Sequence, residues 1–173
     1  MSDQNAMLKL LMDNDRRLTQ TETKEVPGGI PGFTSFYATG SFVPTWVGST
    51  IAGTFTYTAA STLVEWARIG NRVFFNGRIV ISAITVAPTG NLQVAGWPFA
   101  GVSDANMAIA GGGTFIFWNM NVAAGYTQVE LQFANGTSLA VVTRNGDNVA
   151  PSAVAGGELN VGDCRFEGQY RVA

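Results

Sequence analysis

The chain has 173 residues, with 10 Lys and Arg against 12 Asp and Glu, a net charge of −2 and a pI near 5.0. That length suits one domain with an appendage, and the weakly acidic balance excludes a general nucleic-acid binder, which would present a basic face. Charged residues make up only 13% of the chain, against about a quarter in ordinary soluble proteins. Mean hydropathy is +0.16, so a β domain this poor in charge is expected to bury its flanks in a symmetric oligomer.

The charge is unevenly spread: nine of these residues, both lysines among them, lie within positions 1–30. Residues 3–24 read as a helix, with Leu8, Leu11 and Leu18 at heptad spacing and Asp15 in the vacant seam position. Met7, Leu10 and Met12 broaden the stripe, and Ser2 or Asp3 can cap the start. "VPGGIPG" at 26–32 stops the helix and acts as a linker. A helix this short is marginal alone, and three copies side by side would bury its seam. Residues 1–30 are therefore expected to be a helical anchor, with 31–173 a β domain.

From Phe33 onward the helical period vanishes. "TFTYT" (54–58), "QVELQF" (128–133) and "RFEGQYRV" (165–172) alternate apolar and polar residues, the pattern of half-buried strands. "TFIFWNMNV" (114–122) is apolar on both faces at first and suits a central or interface strand. Asn135-Gly136 marks a hairpin turn. "VEWARIGNRVFFNGRIVIS" (64–82) predicts Leu63–Ile69 paired with one long strand, Asn71–Ser82, around a corner at Ile69-Gly70-Asn71. Val73, Phe75, Ile79 and Ile81 would then share the inward face. The other face would carry Arg72, Phe74, Asn76, Arg78 and Val80, too apolar for open water and too charged for a core. Arg72, Phe74, Arg78 and Val80 are therefore expected to abut another subunit. Short strands at this spacing, with Gly- and Asn-rich turns, predict an all-β antiparallel sandwich of jelly-roll type.

Little in the chain points to chemistry. There is no histidine, which removes the commonest general base and zinc ligand. Cys164 is the only cysteine; it cannot form an internal disulfide and reads as a small core hydrophobe. "GGGT" (111–114) lacks the ending of a phosphate loop and reads as a flexible loop. Glu65, Glu130 and Glu167 fall on strands, whereas Asp104, Asp147 and Asp163 sit in turn-like contexts. No catalytic residue, metal site or cofactor is expected. Among the aromatic residues, Tyr126 in "AAGYTQ" is the expected exposed one and the candidate for binding a glycan, with the 144–157 loop beside it. No run approaches the roughly 18 apolar residues of a membrane helix, and "MLKLLM" (7–12) is too short, with acidic flanks, for a secretory signal.

Four segments carry a resemblance: "FVPTWVGST" (42–50), the hairpin at 64–82, "AGWPFAG" (95–101) and "GDCRFEGQYRV" (162–172). In this order they resemble a domain of tailed bacteriophages, found at the ends of tail fibres and in small virion appendages. "RIGNRV" is the most telling part. Val64-Glu65-Trp66 departs from the family's Gly-x-Tyr, and Trp97 replaces its leucine. The resemblance implies a trimeric β-sandwich of the virion, made in the host cytoplasm, and brings no catalytic motif. The expected function is a short fibre or receptor-binding knob, docked on other virion proteins through Leu8, Leu11 and Leu18 and touching host-surface glycan. A capsid decoration or head-fibre protein is the alternative within the class. A glycan-binding module or capsule depolymerase is the alternative outside it.

Overall fold

A computed structural model describes residues 37–105 and 109–173; the expected helix, its Leu8, Leu11 and Leu18 seam and the linker lie outside the described residues. In chain order the strands are β1 (Tyr37–Phe42), β2 (Thr45–Gly48), β3 (Thr54–Tyr57), β4 (Leu63–Ile69), β5 (Arg72–Val86) and β6 (Leu92–Ala95). They continue with β7 (Ile109–Phe117), β8 (Gln128–Ala134), β9 (Ala140–Gly146), β10 (Val149–Ala153) and β11 (Gly162–Arg171). Two 3₁₀ turns, Ala59–Ser61 and Gly156–Glu158, are the helical elements among the described residues. The fold is all-β and antiparallel.

The strands hydrogen-bond into one sheet, ordered β1-β4-β5-β11-β7-β8-β9-β6-β2, with β3 on the far half of β5 and β10 on β9. The sequence predicts two stacked sheets; the chain instead curls a single sheet strongly on itself. Its opposite ends meet: the Phe42 ring of β1 lies 5.1 Å from Trp97, just beyond β6, and Trp46 of β2 stacks on Phe115 of β7. Curling lets one inward face supply both sides of a core, which stacked sheets achieve with two.

The long hairpin is as the alternation predicts. β4 and β5 pair from Leu63–Arg78 to Ile69–Arg72 without a shift, so Asn76-Gly77 is neither turn nor bulge. The corner falls at Gly70, whose φ of +59° suits glycine. Val73, Phe75, Ile79 and Ile81 are buried. Phe166 and Tyr170 of β11 and Val129, Leu131 and Phe133 of β8 join them. The core centres on packed rings: Trp97 is 4.8 Å from Phe75 and 4.6 Å from Phe133, and Phe133 stacks on Tyr170 at 4.0 Å. Each aromatic fully removed from water contributes roughly 1.5–3 kcal/mol. Two buried polar tips of this cluster are bonded: Trp97 Nε1 donates to the Val94 carbonyl and Tyr170 Oη to that of Phe99.

Four further expectations are corrected. Gly111–Gly113 is not a loop but the middle of β7, paired on both sides with β8 and β11. Strand β7 then ends at Phe117, short of the predicted Val122. Asp163 lies on β11, not in a turn. Within the expected 144–157 loop, β10 folds back on β9 around Asp147 and Asn148, the latter at φ +59°.

Candidate functional site

Outward side chains of β1, β4, β5, β11, β7 and β8 form ordered rows across the sheet. One row runs Ser41, Glu65, Asn76, Glu167, Thr114, Glu130; the next runs Thr39, Ala67, Phe74, Gln169, Gly112, Gln132. An open groove of about 830 Å³ crosses the β1, β4, β5 and β11 part of these rows, lined by Thr39, Ser41, Glu65, Phe74, Asn76 and Gln169 among others. A second, of about 520 Å³, continues over β7 to β8.

The arginines flank the rows. Arg78 and Arg165 are direct cross-strand partners, a like-charge pair that costs energy unless neutralised. Asp163 neutralises it: the Arg78 fork donates Nε and Nη2 to its two oxygens at 3.0 Å, and Arg165 donates to Oδ2 at 2.9 and 3.1 Å. Burial pushes the Asp163 pKa up, but the hydrogen bonds from Arg78 and then Arg165 outweigh it and hold the carboxyl below its usual value. At the other end Arg72 donates to Gln169 Oε1. Arg68, on the inward alternation, donates to the Gly70 and Ala173 carbonyls and lies over the Phe99 ring.

The residues expected at a subunit contact, Arg72, Phe74, Arg78 and Val80, share the outward face of β5. Phe74 is 41% exposed. The heads of Arg72 and Arg78 find partners within the same chain, whereas the sequence expects them to reach across to another. Exposed Leu63 and Ile69 on β4 and Ile116 and Phe117 on β7 extend the apolar part of the same face; Ile116 follows the outward alternation of Thr114, whereas a register irregularity sets Phe117, against the alternation, opposite Arg165.

Tyr126 is half-buried, not the exposed aromatic the sequence expects. The Arg144 guanidinium lies 4.5 Å over its ring, and its hydroxyl meets Ser152 Oγ at 3.2 Å. Arg144 also pairs with Glu158, whose other oxygen accepts the Ala155 N–H. The cluster ties β9 to β10 and the turn after it, and it covers one face of the ring. Among the described residues no group of three or more His, Cys, Asp or Glu side chains is arranged to hold a metal ion. Cys164 is buried, and burial pushes its thiol up to about 11.

The fold defines a class: an antiparallel all-β domain made of one curled sheet around an aromatic core. It is similar to part of the Dettilon tailspike protein, with a TM-score of 0.61 at 20% identity over 79% of this chain and 24% of that one. The matched region thus spans about a quarter of the tailspike's length, and the likeness is one of fold. No family model matches the chain, and no curated protein matches it.

Proposed function

We propose that the chain is a structural protein of a phage particle, an appendage of tail-fibre or receptor-binding type that performs no catalysis. The observation that carries this reading is the fold likeness to part of a phage tailspike, reached independently of the sequence resemblance at 42–50, 64–82, 95–101 and 162–172. The β domain projects from the particle as a homotrimeric knob. The segment with Leu8, Leu11 and Leu18 anchors it to other virion proteins. Copies meet through the outward face of β4 and β5, where Arg72, Phe74, Arg78 and Val80 lie beside exposed Leu63 and Ile69. This contact would bury the apolar surface that a chain of 13% charge leaves in water.

Three measurements test the reading. Light scattering should return three times the 18.3 kDa chain mass; a monomeric mass at micromolar concentration overturns the trimer. Electron microscopy of particles carrying a C-terminal tag should place the label on the tail. Label on the capsid surface would instead establish a decoration protein, and release of reducing ends from host polysaccharide would establish a depolymerase.

A further inference from the structure

Strands β8 and β11 both flank β7, and both carry the same outward pair. Glu130 and Gln132 on β8 stand opposite Glu167 and Gln169 on β11, in register through Thr114 and Gly112 respectively. Between the two walls the floor is Gly112, with no side chain, in the glutamine row, and the Thr114 side chain in the glutamate row. The glycines are required by the close approach of the neighbouring strands: a Cβ on Gly112 would come 2.6 Å from the Leu131 carbonyl oxygen, and one on Gly113 2.4 Å from that of Glu167. The result is a slot of about 520 Å³ whose lining contains no arginine or lysine. Its walls are two strands apart, about 9.5 Å by twice the ordinary strand spacing. Among the described residues the side chains of Glu130, Gln132 and Glu167 make no hydrogen bond or ion pair, whereas Gln169 Oε1 accepts from Arg72 and keeps its amide N–H groups for a ligand.

We infer that this slot is a binding subsite for an uncharged, hydroxyl-rich oligosaccharide lying along β7. This rests on the appendage reading above and adds the ligand class and its place. Carboxylates accept, and amides both accept and donate, in one plane; a pair of each on facing walls matches the mixed donor and acceptor edge of a sugar ring. At Gly112 the floor carries no side chain, which allows a ring to approach closely there, and the Thr114 hydroxyl adds a donor and acceptor beside it. Ile109, 43% exposed at one end of the slot, offers an apolar contact for a ring face. Charge selects among sugars: two carboxylates with no cation in the lining repel uronic or sialic acids and tolerate neutral or N-acetylated units.

The test is calorimetric titration of the full chain with maltopentaose, cellopentaose, mannopentaose, chitopentaose and pentagalacturonate. At least one of the four uncharged pentamers should bind and pentagalacturonate should not. The double substitution Glu130→Ala, Gln132→Ala should weaken that binding at least tenfold, with light-scattering mass and thermal midpoint close to the parent. Glu167→Ala should act in the same direction from the other wall. Failure of all four uncharged pentamers to bind, equal binding of pentagalacturonate, or unchanged affinity in the double variant overturns the inference. Adsorption to host cells that survives the double substitution would likewise overturn the slot while leaving the appendage reading in place. A chain that is monomeric and absent from the particle would overturn that reading whatever the slot binds.

Discussion

Gly168 and Gly113 face each other across β11 and β7, and the Phe75 ring ends where their side chains would begin. A Cβ on either would lie 2.8 Å from Phe75 Cζ and 2.4 Å from backbone of the neighbouring strand. The core thus fills its centre with one large ring over two absent side chains, and neither partner is free to change alone. Gly168→Ala is expected to destabilise by about 1–3 kcal/mol through overpacking, read as a lower urea midpoint at unchanged slope. Phe75→Ala, which empties the same space, should cost about 3–5 kcal/mol. The thiol of Cys164 is 1% exposed and, with its pKa raised to about 11 by burial, is almost wholly protonated at pH 8. It should resist a thiol reagent in the native protein and react at once in urea; rapid native labelling would contradict its place in the core.

Strands β5 and β11 show how an element settles a charge. Ten residue pairs hold them together, and one of these sets Arg78 beside Arg165. Asp163, two residues earlier on β11, answers both. Its carboxyl titrates below the unfolded value, so the stabilisation is present above the unfolded pKa, near 4 for an aspartate, and is lost as pH falls through the lower folded value. Asp163→Asn should therefore lower the urea midpoint at pH 7 and leave a shallower acid limb than the parent shows. An identical acid limb in both proteins would mean that Asp163 carries no linked stability. The pair also explains why Asp163 misleads as a sequence signal: beside Gly162 it looks like a turn former, and only the register of β11 on β5 reveals two arginines in reach. The same holds for Gly111–Gly113, where a glycine run reads locally as a loop. Its strand conformation comes from β8 and β11 on either side.

For the whole molecule, the consequential surface is the outward face that spans β1 to β8. On the trimer reading, Arg78→Ala removes a guanidinium that both shields Asp163 and lines the proposed contact. It is expected to shift the light-scattering mass toward monomer more than it shifts the thermal midpoint. A trimer that forms as readily with the change would place the contact elsewhere. Asp163→Asn serves as the companion variant, since it disturbs the same ion pair while leaving the arginine stem in place to pack.

The class of the fold was legible in the chain because alternation is a local property. Strand segments at 54–58, 128–133 and 165–172, the hairpin turn at Asn135-Gly136 and the corner at Gly70 all follow from neighbours a few residues apart. The inward row of β5, Val73, Phe75, Ile79 and Ile81, follows the same way. The four segments of family resemblance were legible too, and their place explains why they say little about binding: Phe75, Trp97, Phe166 and Tyr170 from three of them form one buried cluster. They mark how the domain packs. What the chain could not disclose depends on strand order. That order is long-range, β4-β5-β11-β7-β8, and it alone decides that Glu130 and Gln132 face Glu167 and Gln169 across Thr114 and Gly112 of β7. It likewise decides that Tyr126 lies beneath Arg144, and that one curled sheet replaces two stacked ones. Period-two patterning assigns a side chain to a face, but its neighbours on that face belong to strands dozens of residues away, and only their pairing brings them together.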